Sequence, residues 1–208
     1  MDYEPKIVGH AGLYIKSSGI FCAHSFMNKL YNISYNYSHD YLFKSKVIKS
    51  SRINGGYNTT ILNAFGENEN VTSKWVVNCA GLNSDIIANS IESKAELPKI
   101  EFSKGCYFKL SNIWRNVFQH LVYPLPDYKN GTLGIHLTID RNGTAKLGPN
   151  AKLLKKRIED YHVDDSQIEI FYKEASNYIR GLKLEDLSPD YSGIRPRIKN
   201  NDKFNDFY

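Results

Sequence analysis

The sequence predicts an α/β (α+β) fold in two lobes, and two contrasts along the chain carry that prediction. Up to about residue 98 a helical pattern alternates with strand patterns, whereas from about 99 to 187 the patterns read as an antiparallel sheet with one helix. The expected organisation is therefore 1–98, 99–187, and a return to the first lobe over 188–208. With 208 residues, 41% hydrophobic and 24% charged with both signs mixed, the chain can bury a real core and is not a disordered tail.

Each element follows from local pattern. From Ala23 to Ser34 the residues Phe26, Met27, Leu30 and Ile33 recur at helical spacing, with Ser25 available as N-cap. Tyr41 to Ile48 alternates as a strand, and Gly55-Gly56 turns it into a second strand from Tyr57 to Phe65. Lys74 to Gly81 is a nearly continuous apolar run ending in small residues, which predicts a buried strand, a tight turn and a helix start at Asn83 or Ser84. The turn at Ala80-Gly81 either fits a crowded corner or lets backbone approach a phosphate.

Beyond Pro98, Gly105–Leu110, Leu121–Pro126, Leu133–Ile139 and Thr144–Leu147 read as strands, the last two joined by Asp140-Arg141-Asn142-Gly143. Ile168 to Leu182 returns to helical spacing, and Tyr191 to Pro196 forms a closing turn and strand. Two lobes with a cleft between them would place a small-molecule site at their junction.

Charge and cysteine usage narrow the function. The 27 Lys+Arg and 22 Asp+Glu give a formal +5, yet only Lys152–Arg157 forms a basic cluster and no recognition helix, zinc finger or ribonucleoprotein motif accompanies it, so no nucleic-acid partner is expected. Cys22, Cys79 and Cys106 lie far apart, fitting neither a disulfide framework nor a metal site; the six histidines form no H-x-x-x-H, and no metal is expected. Met1–Pro5 has no signal-peptide character and no long apolar run occurs, so no transmembrane segment is expected. The expected location is the cytoplasm, with peripheral association at the inner membrane as the variant.

A series of short stretches then falls in a telling order: Glu4-Pro5, Ala11–Tyr14, Ser18-Gly19-Ile20, Val77–Leu82, Lys104–Phe108, Tyr123–Pro126, Leu133–Thr138, Gly148-Pro149-Asn150, Tyr191–Pro196 and Asp206-Phe207. Together they resemble the FAD-dependent oxidoreductases of the D-amino-acid oxidase superfamily, most closely the L-2-hydroxyglutarate dehydrogenase/oxidase branch. The resemblance implies a partial FAD-binding Rossmann-like lobe beside an antiparallel-sheet substrate lobe, FAD as cofactor, and a small 2-hydroxy acid as substrate. The family's opening strand, G-x-G-x-x-G turn and helix hold the FAD pyrophosphate, and no G-x-G-x-x-G occurs here. The expectation is a fragment lacking that segment and the family's C-terminal end, marginal in isolation unless a separate chain supplies the rest.

The resemblance also assigns candidate roles. Arg195, in Gly193-Ile194-Arg195-Pro196, offers a guanidinium fork for a substrate carboxylate, against the alternative of a surface ion pair. His136 shares a strand face with Thr138, opposite Ile135 and Leu137; it is a candidate base for the hydroxyl proton or a hydrogen-bonded core histidine. Tyr107, Tyr123 and Thr138 are candidates for the substrate pocket, with packing as the other role open to the tyrosines. Val47, Ala80, Gly81, Leu82 and Gly193 are candidates for FAD contact. Two other readings stay open: a catalytically inactive remnant of a split or decaying gene, and an amine or amino-acid oxidase of the same superfamily.

Overall fold

The computed structural model describes residues 3–91, 99–125 and 134–198. Pro126 and Leu133, at the ends of two expected strands, and Asp206-Phe207 lie outside the described residues. In chain order the elements are α1 (Ala23–Tyr35), β1 (Lys46–Ile53), β2 (Gly56–Leu62), β3 (Asn68–Ser73), α2 (Ser84–Ile91), β4 (Ile100–Leu110), β5 (Leu137–Ile139), β6 (Ala145–Leu147), β7 (Lys152–Leu154), α3 (Ile168–Ala175) and β8 (Leu187–Ile198). They form two compact units, Met1–Leu30 with Ser103–Ile194, and Tyr31–Phe102 with Arg195–Tyr208.

The first unit is organised by a sheet in the order β5-β6-β4-β7, with β8 also paired to β4. Its antiparallel register sets Phe108 opposite Leu147 and Leu147 opposite Leu137. Because strand side chains alternate between faces, Cys106, Phe108, Leu110, Leu137, Ala145 and Leu147 all fall on one face and are buried. That face packs with Phe171 and Ala175 of α3 and with Ile179 and Leu182 just beyond it in a single core. Phe108 and Phe171 are both fully buried with ring centres 4.5 Å apart.

Polar contacts lash the remaining segments to this core. Glu4 is buried; its Oε1 accepts from the backbone N–H of Gln119 and of His120 at 2.7 Å, with His120 Nδ1 at 2.8 Å. The chain continues beside the end of the α3 region, where Arg180 N–H donates to Lys6 O at 2.8 Å and Val8 N–H to Tyr178 O at 2.9 Å. The buried Lys104 ammonium reaches Asp160 Oδ2 at 3.0 Å and donates to His162 O at 2.5 Å, which satisfies a charge that would otherwise be costly inside the protein.

The second unit holds the antiparallel sheet β1-β2-β3, with α2 against β1. Gly55, at φ +81°, makes the turn between β1 and β2. Ser50 is fully buried: its N–H donates to Ser90 Oγ at 3.0 Å, and its hydroxyl meets Thr59 Oγ1 at 2.9 Å. Asp85 tethers the start of β4 by accepting from Ile100 N–H at 3.1 Å.

Several local expectations change. Residues 74–80 form no strand, and Trp75 and Val77 are 84% and 83% exposed; among the described residues no strand pairs with this run, so it has neither ladder nor cover. Asn68–Ser73 is a strand despite its polarity, because β2 supplies a complete antiparallel ladder. The helix expected to reach Leu182 stops at Ala175, and the chain turns so that Ile179 and Leu182 still enter the core. The expected strand from Leu121 reduces to one bridge between Val122 and Leu137, and β1 begins only at Lys46. The helix expected from Ala23 forms, but none of its residues is buried.

Phe171→Ala should destabilise the protein by about 3–5 kcal/mol, the range for emptying a fully buried aromatic site. Ile170→Ala, at an exposed neighbour on the same helix, should stay within about 0.5 kcal/mol of wild type. Equilibrium urea unfolding checks the pair; equal losses would sink the assignment of α3's inner face.

Candidate functional site

Alternation that buries one face of the first unit's sheet turns Tyr107, Thr138 and Lys146 to the other. Register confirms the grouping, since Thr138 and Lys109 both lie opposite Lys146. Tyr191 of β8 joins them, and together with Cys22 and Arg141 these residues line an open cavity of about 960 Å³.

Tyr107 and Tyr191 stack with ring centres 4.5 Å apart and planes 15° from parallel. Burial, reinforced by the Tyr191 phenol and by Tyr123, pushes the Tyr107 phenol from its ordinary 10.0 up to about 12. Lys146 Nζ lies 2.8 Å from Asp190 Oδ2 and 5.0 Å from the centre of the Tyr191 ring. Gly148, at φ +131°, sits against Tyr107: a Cβ there would stand 2.6 Å from Cys106 O and 3.0 Å from the Tyr107 ring, so only glycine lets β6 leave this close to Tyr107. At the start of α1 the Cys22 thiol is held below its usual range, first by hydrogen bonding to the Ser25 side chain and then by the Ser25 backbone.

His136 lies just before β5 and is buried between the core residues Ile135 and Leu137. Its ring meets Tyr123 edge-on, with centres 4.4 Å apart and planes at 64°. The backbone around it is hydrogen-bonded on both sides. Ile135 N–H donates to Glu174 Oε2 at 3.2 Å, Ile135 O accepts from the Tyr178 hydroxyl at 2.8 Å, and His136 O accepts from Gly148 N–H at 2.9 Å. Burial raises the Tyr178 phenol pKa.

The structure thus brings Tyr107 and Thr138 together on the cavity and pairs His136 with Tyr123. Gly193 is exposed on β8. Arg195, Val47, Ala80, Gly81 and Leu82 belong to the second unit, where Arg195 is exposed on β8, Val47 is exposed on β1, and Gly81-Leu82 begin a short 3₁₀ turn. Sequence reasoning missed Lys146, Asp190, Arg141 and Cys22, and quoted Tyr191 only within a motif. The available signal for Lys146 was the hairpin over Asp140–Gly143, whose register sets Lys146 across from Thr138.

This architecture is shared with flavin enzymes. An L-proline dehydrogenase from P. horikoshii superposes with a TM-score of 0.63 at 16% identity, covering 86% of this chain and 44% of that one. An L-α-glycerophosphate oxidase from Mycoplasma pneumoniae with FAD bound gives 0.61 at 17% identity, covering 74% and 39%. The fold is that of the FAD-dependent oxidoreductases. The DAO family, described as FAD dependent oxidoreductase, matches residues 2–207, and the chain belongs to it. Among relatives, the mitochondrial L-2-hydroxyglutarate dehydrogenase of Arabidopsis thaliana is 30% identical over 95% of this chain and 48% of its own length. The L-2-hydroxyglutarate dehydrogenase of Escherichia coli (strain K12) is 29% identical over 79% and 37%. The chain spans about half the length of the plant relative and a little over a third of the bacterial one.

Gly81 has φ +55°, but a Cβ there, or at Gly193, would meet nothing within 4 Å, so neither glycine forms a close-fitting cradle. Ala80, Gly81 and Val47 are exposed, and the sequence has no G-x-G-x-x-G. The described residues do not by themselves make an FAD phosphate site. Among them, no group of three or more His, Cys, Asp or Glu could hold a metal, and no helix is long and apolar enough to cross a membrane.

The raised Tyr107 pKa makes stability depend on pH. Between about pH 10 and about 12 the unfolded phenol ionises while the folded one keeps its proton, so stability present below about 10 is lost as pH rises. Denaturant unfolding across that window should show a shallower decline for Tyr107→Phe than for wild type. Parallel slopes would mean that Tyr107 does not resist ionisation in the folded protein.

Proposed function

We propose that this chain is part of an FAD-dependent oxidoreductase that oxidises a 2-hydroxy acid, L-2-hydroxyglutarate in the first instance, to the 2-oxo acid. The observation that carries this reading is the family match over residues 2–207 combined with a cavity lined by tyrosine and threonine hydroxyls on the sheet's open face. The L-2-hydroxyglutarate dehydrogenases at 30% and 29% identity support the substrate. In this reading the unit bearing β1–β3 and α2 contributes Val47 and Ala80–Leu82 to the flavin side, and Gly193 of the other unit is a further flavin contact. Tyr107, Tyr123, His136 and Thr138 are the substrate-side residues of the sheet unit, and Arg195 is a substrate-side residue of the β1–β3 unit.

FAD, when bound, supplies the acceptor for the C2 hydride. The chain's own residues orient the substrate and manage its proton. Arg195 binds the carboxylate next to the reacting carbon through two parallel N–H donors. Tyr107 and Thr138 offer hydroxyls to substrate oxygens. His136 accepts the C2 hydroxyl proton on a ring nitrogen, and its edge contact with Tyr123 sets the plane of the ring.

Absorbance of the purified chain, after incubation with FAD and removal of free cofactor, is the direct test. Little retained flavin is the expected result for this chain alone, whose described residues make no FAD phosphate site; stoichiometric flavin that bleaches on adding L-2-hydroxyglutarate would show that the chain holds the cofactor by other contacts and acts on this acid. In the flavin-loaded form, Arg195→Lys should raise KM and lower kcat, together costing about tenfold or more in kcat/KM because an ammonium cannot reproduce the bidentate fork. Unchanged kinetics would remove Arg195 from the substrate site.

A further inference from the structure

We propose that Lys146 is the specificity-determining cation of the cavity, receiving the second carboxylate of a dicarboxylic 2-hydroxy acid at the end remote from the reacting carbon. The proposal rests on reading this cavity as a 2-hydroxy-acid pocket and adds what selects the diacid.

Position comes first. Lys146 is the central residue of β6, between Ala145 and Leu147, both buried in the core, so its own side chain must leave by the opposite face. On that face it shares the cavity wall with Tyr107, Thr138 and Tyr191. The ammonium is then held in place. Asp190 Oδ2 lies 2.8 Å away, the Tyr191 ring centre 5.0 Å away, and the Lys146 and Asp190 side chains are each only 22% exposed.

An ammonium carries three N–H donors. Asp190 pairs with it as an ion pair at 2.8 Å, and the donors remain for an incoming carboxylate without rebuilding the site. The lysine head is partly shielded from water, where a charge-assisted hydrogen bond is worth more than at an open surface. Asp140, the acid of the cavity lining, is near enough to feel the Lys146 charge. Its Oδ1 accepts from Asn142 N–H at 2.8 Å and Thr144 N–H at 3.0 Å within its own turn. Arg141 on the same turn adds positive charge to the wall.

The test is a calorimetric titration of the 208-residue chain with L-2-hydroxyglutarate and with L-2-hydroxypentanoate, which keeps the carbon chain but ends in a methyl group. Wild type should prefer the diacid by about tenfold or more, the scale of one charge-assisted hydrogen bond. Lys146→Met should reduce that preference to about twofold or less while leaving monoacid affinity within about twofold, and Lys146→Arg should retain it. A Met variant that keeps the full preference overturns the proposal. Equal binding of both acids by wild type overturns it while leaving the 2-hydroxy-acid reading in place; binding of neither overturns both. Near-ultraviolet circular dichroism monitors folding, with Lys146→Gln replacing Met if Met does not fold. Loss of fold in both neutral variants overturns the proposal in favour of a structural ion pair.

Discussion

Phe108 packed on Phe171 is the contact on which the first unit depends. Both side chains are fully buried, and around them the inward residues of β4, β5 and β6 form one apolar face with α3 and the turns beyond it. A strand has a period of two, so burying Phe108, Leu137 and Leu147 leaves Tyr107, Thr138 and Lys146 no choice of side. A slip of one residue in register would exchange the two sets, placing an ammonium in the core and phenylalanine in the cavity. The hydrophobic core thus specifies the polar wall before any substrate enters the argument.

Backbone bonding tightens that specification near the candidate base. Ile135 gives its N–H to Glu174 and its C=O to Tyr178, both in the α3 region, and His136 O accepts from Gly148. The segment bearing His136 is therefore tied on one side to the helical layer and on the other to the end of β6. Gly148 serves two ends here. Its N–H holds the histidine backbone, and its missing Cβ leaves room for the Tyr107 ring. Precise placement of a reactive side chain needs such supports, because small displacements of a positioned group cost large factors in rate.

Much of this was legible in the sequence where pattern and position coincide. Alternation from Ile135 to Thr138 separated core from site residues, and Asp140–Gly143 read as a turn; Gly143 N–H does donate to Asp140 O at 3.0 Å there. The family was legible because its short motifs keep their order, and the family match over 2–207 agrees. What failed did so for physical reasons. An apolar run such as Lys74–Gly81 becomes a strand only if a neighbour supplies hydrogen bonds, and none of the described strands does. Conversely, polar Asn68–Ser73 gains its structure entirely from pairing with β2. The Lys146–Asp190 pair joins residues far apart in sequence, which no local pattern encodes.

The placing of charge on strands rather than loops has a further consequence for the cavity. Lys146 and Asp190 both stand on strands, and the neighbours of Lys146 on its strand are core residues, so their separation is set by sheet geometry. Arg141 sits on a turn and is free of that constraint in its backbone. A rigidly placed cation can discriminate ligand length, since a carboxylate one methylene short or long meets it poorly, whereas a cation on a turn attracts anions with less regard to length. Under the proposed function, selection among acids falls to the strand lysine, and the turn arginine adds attraction that is less particular about what enters.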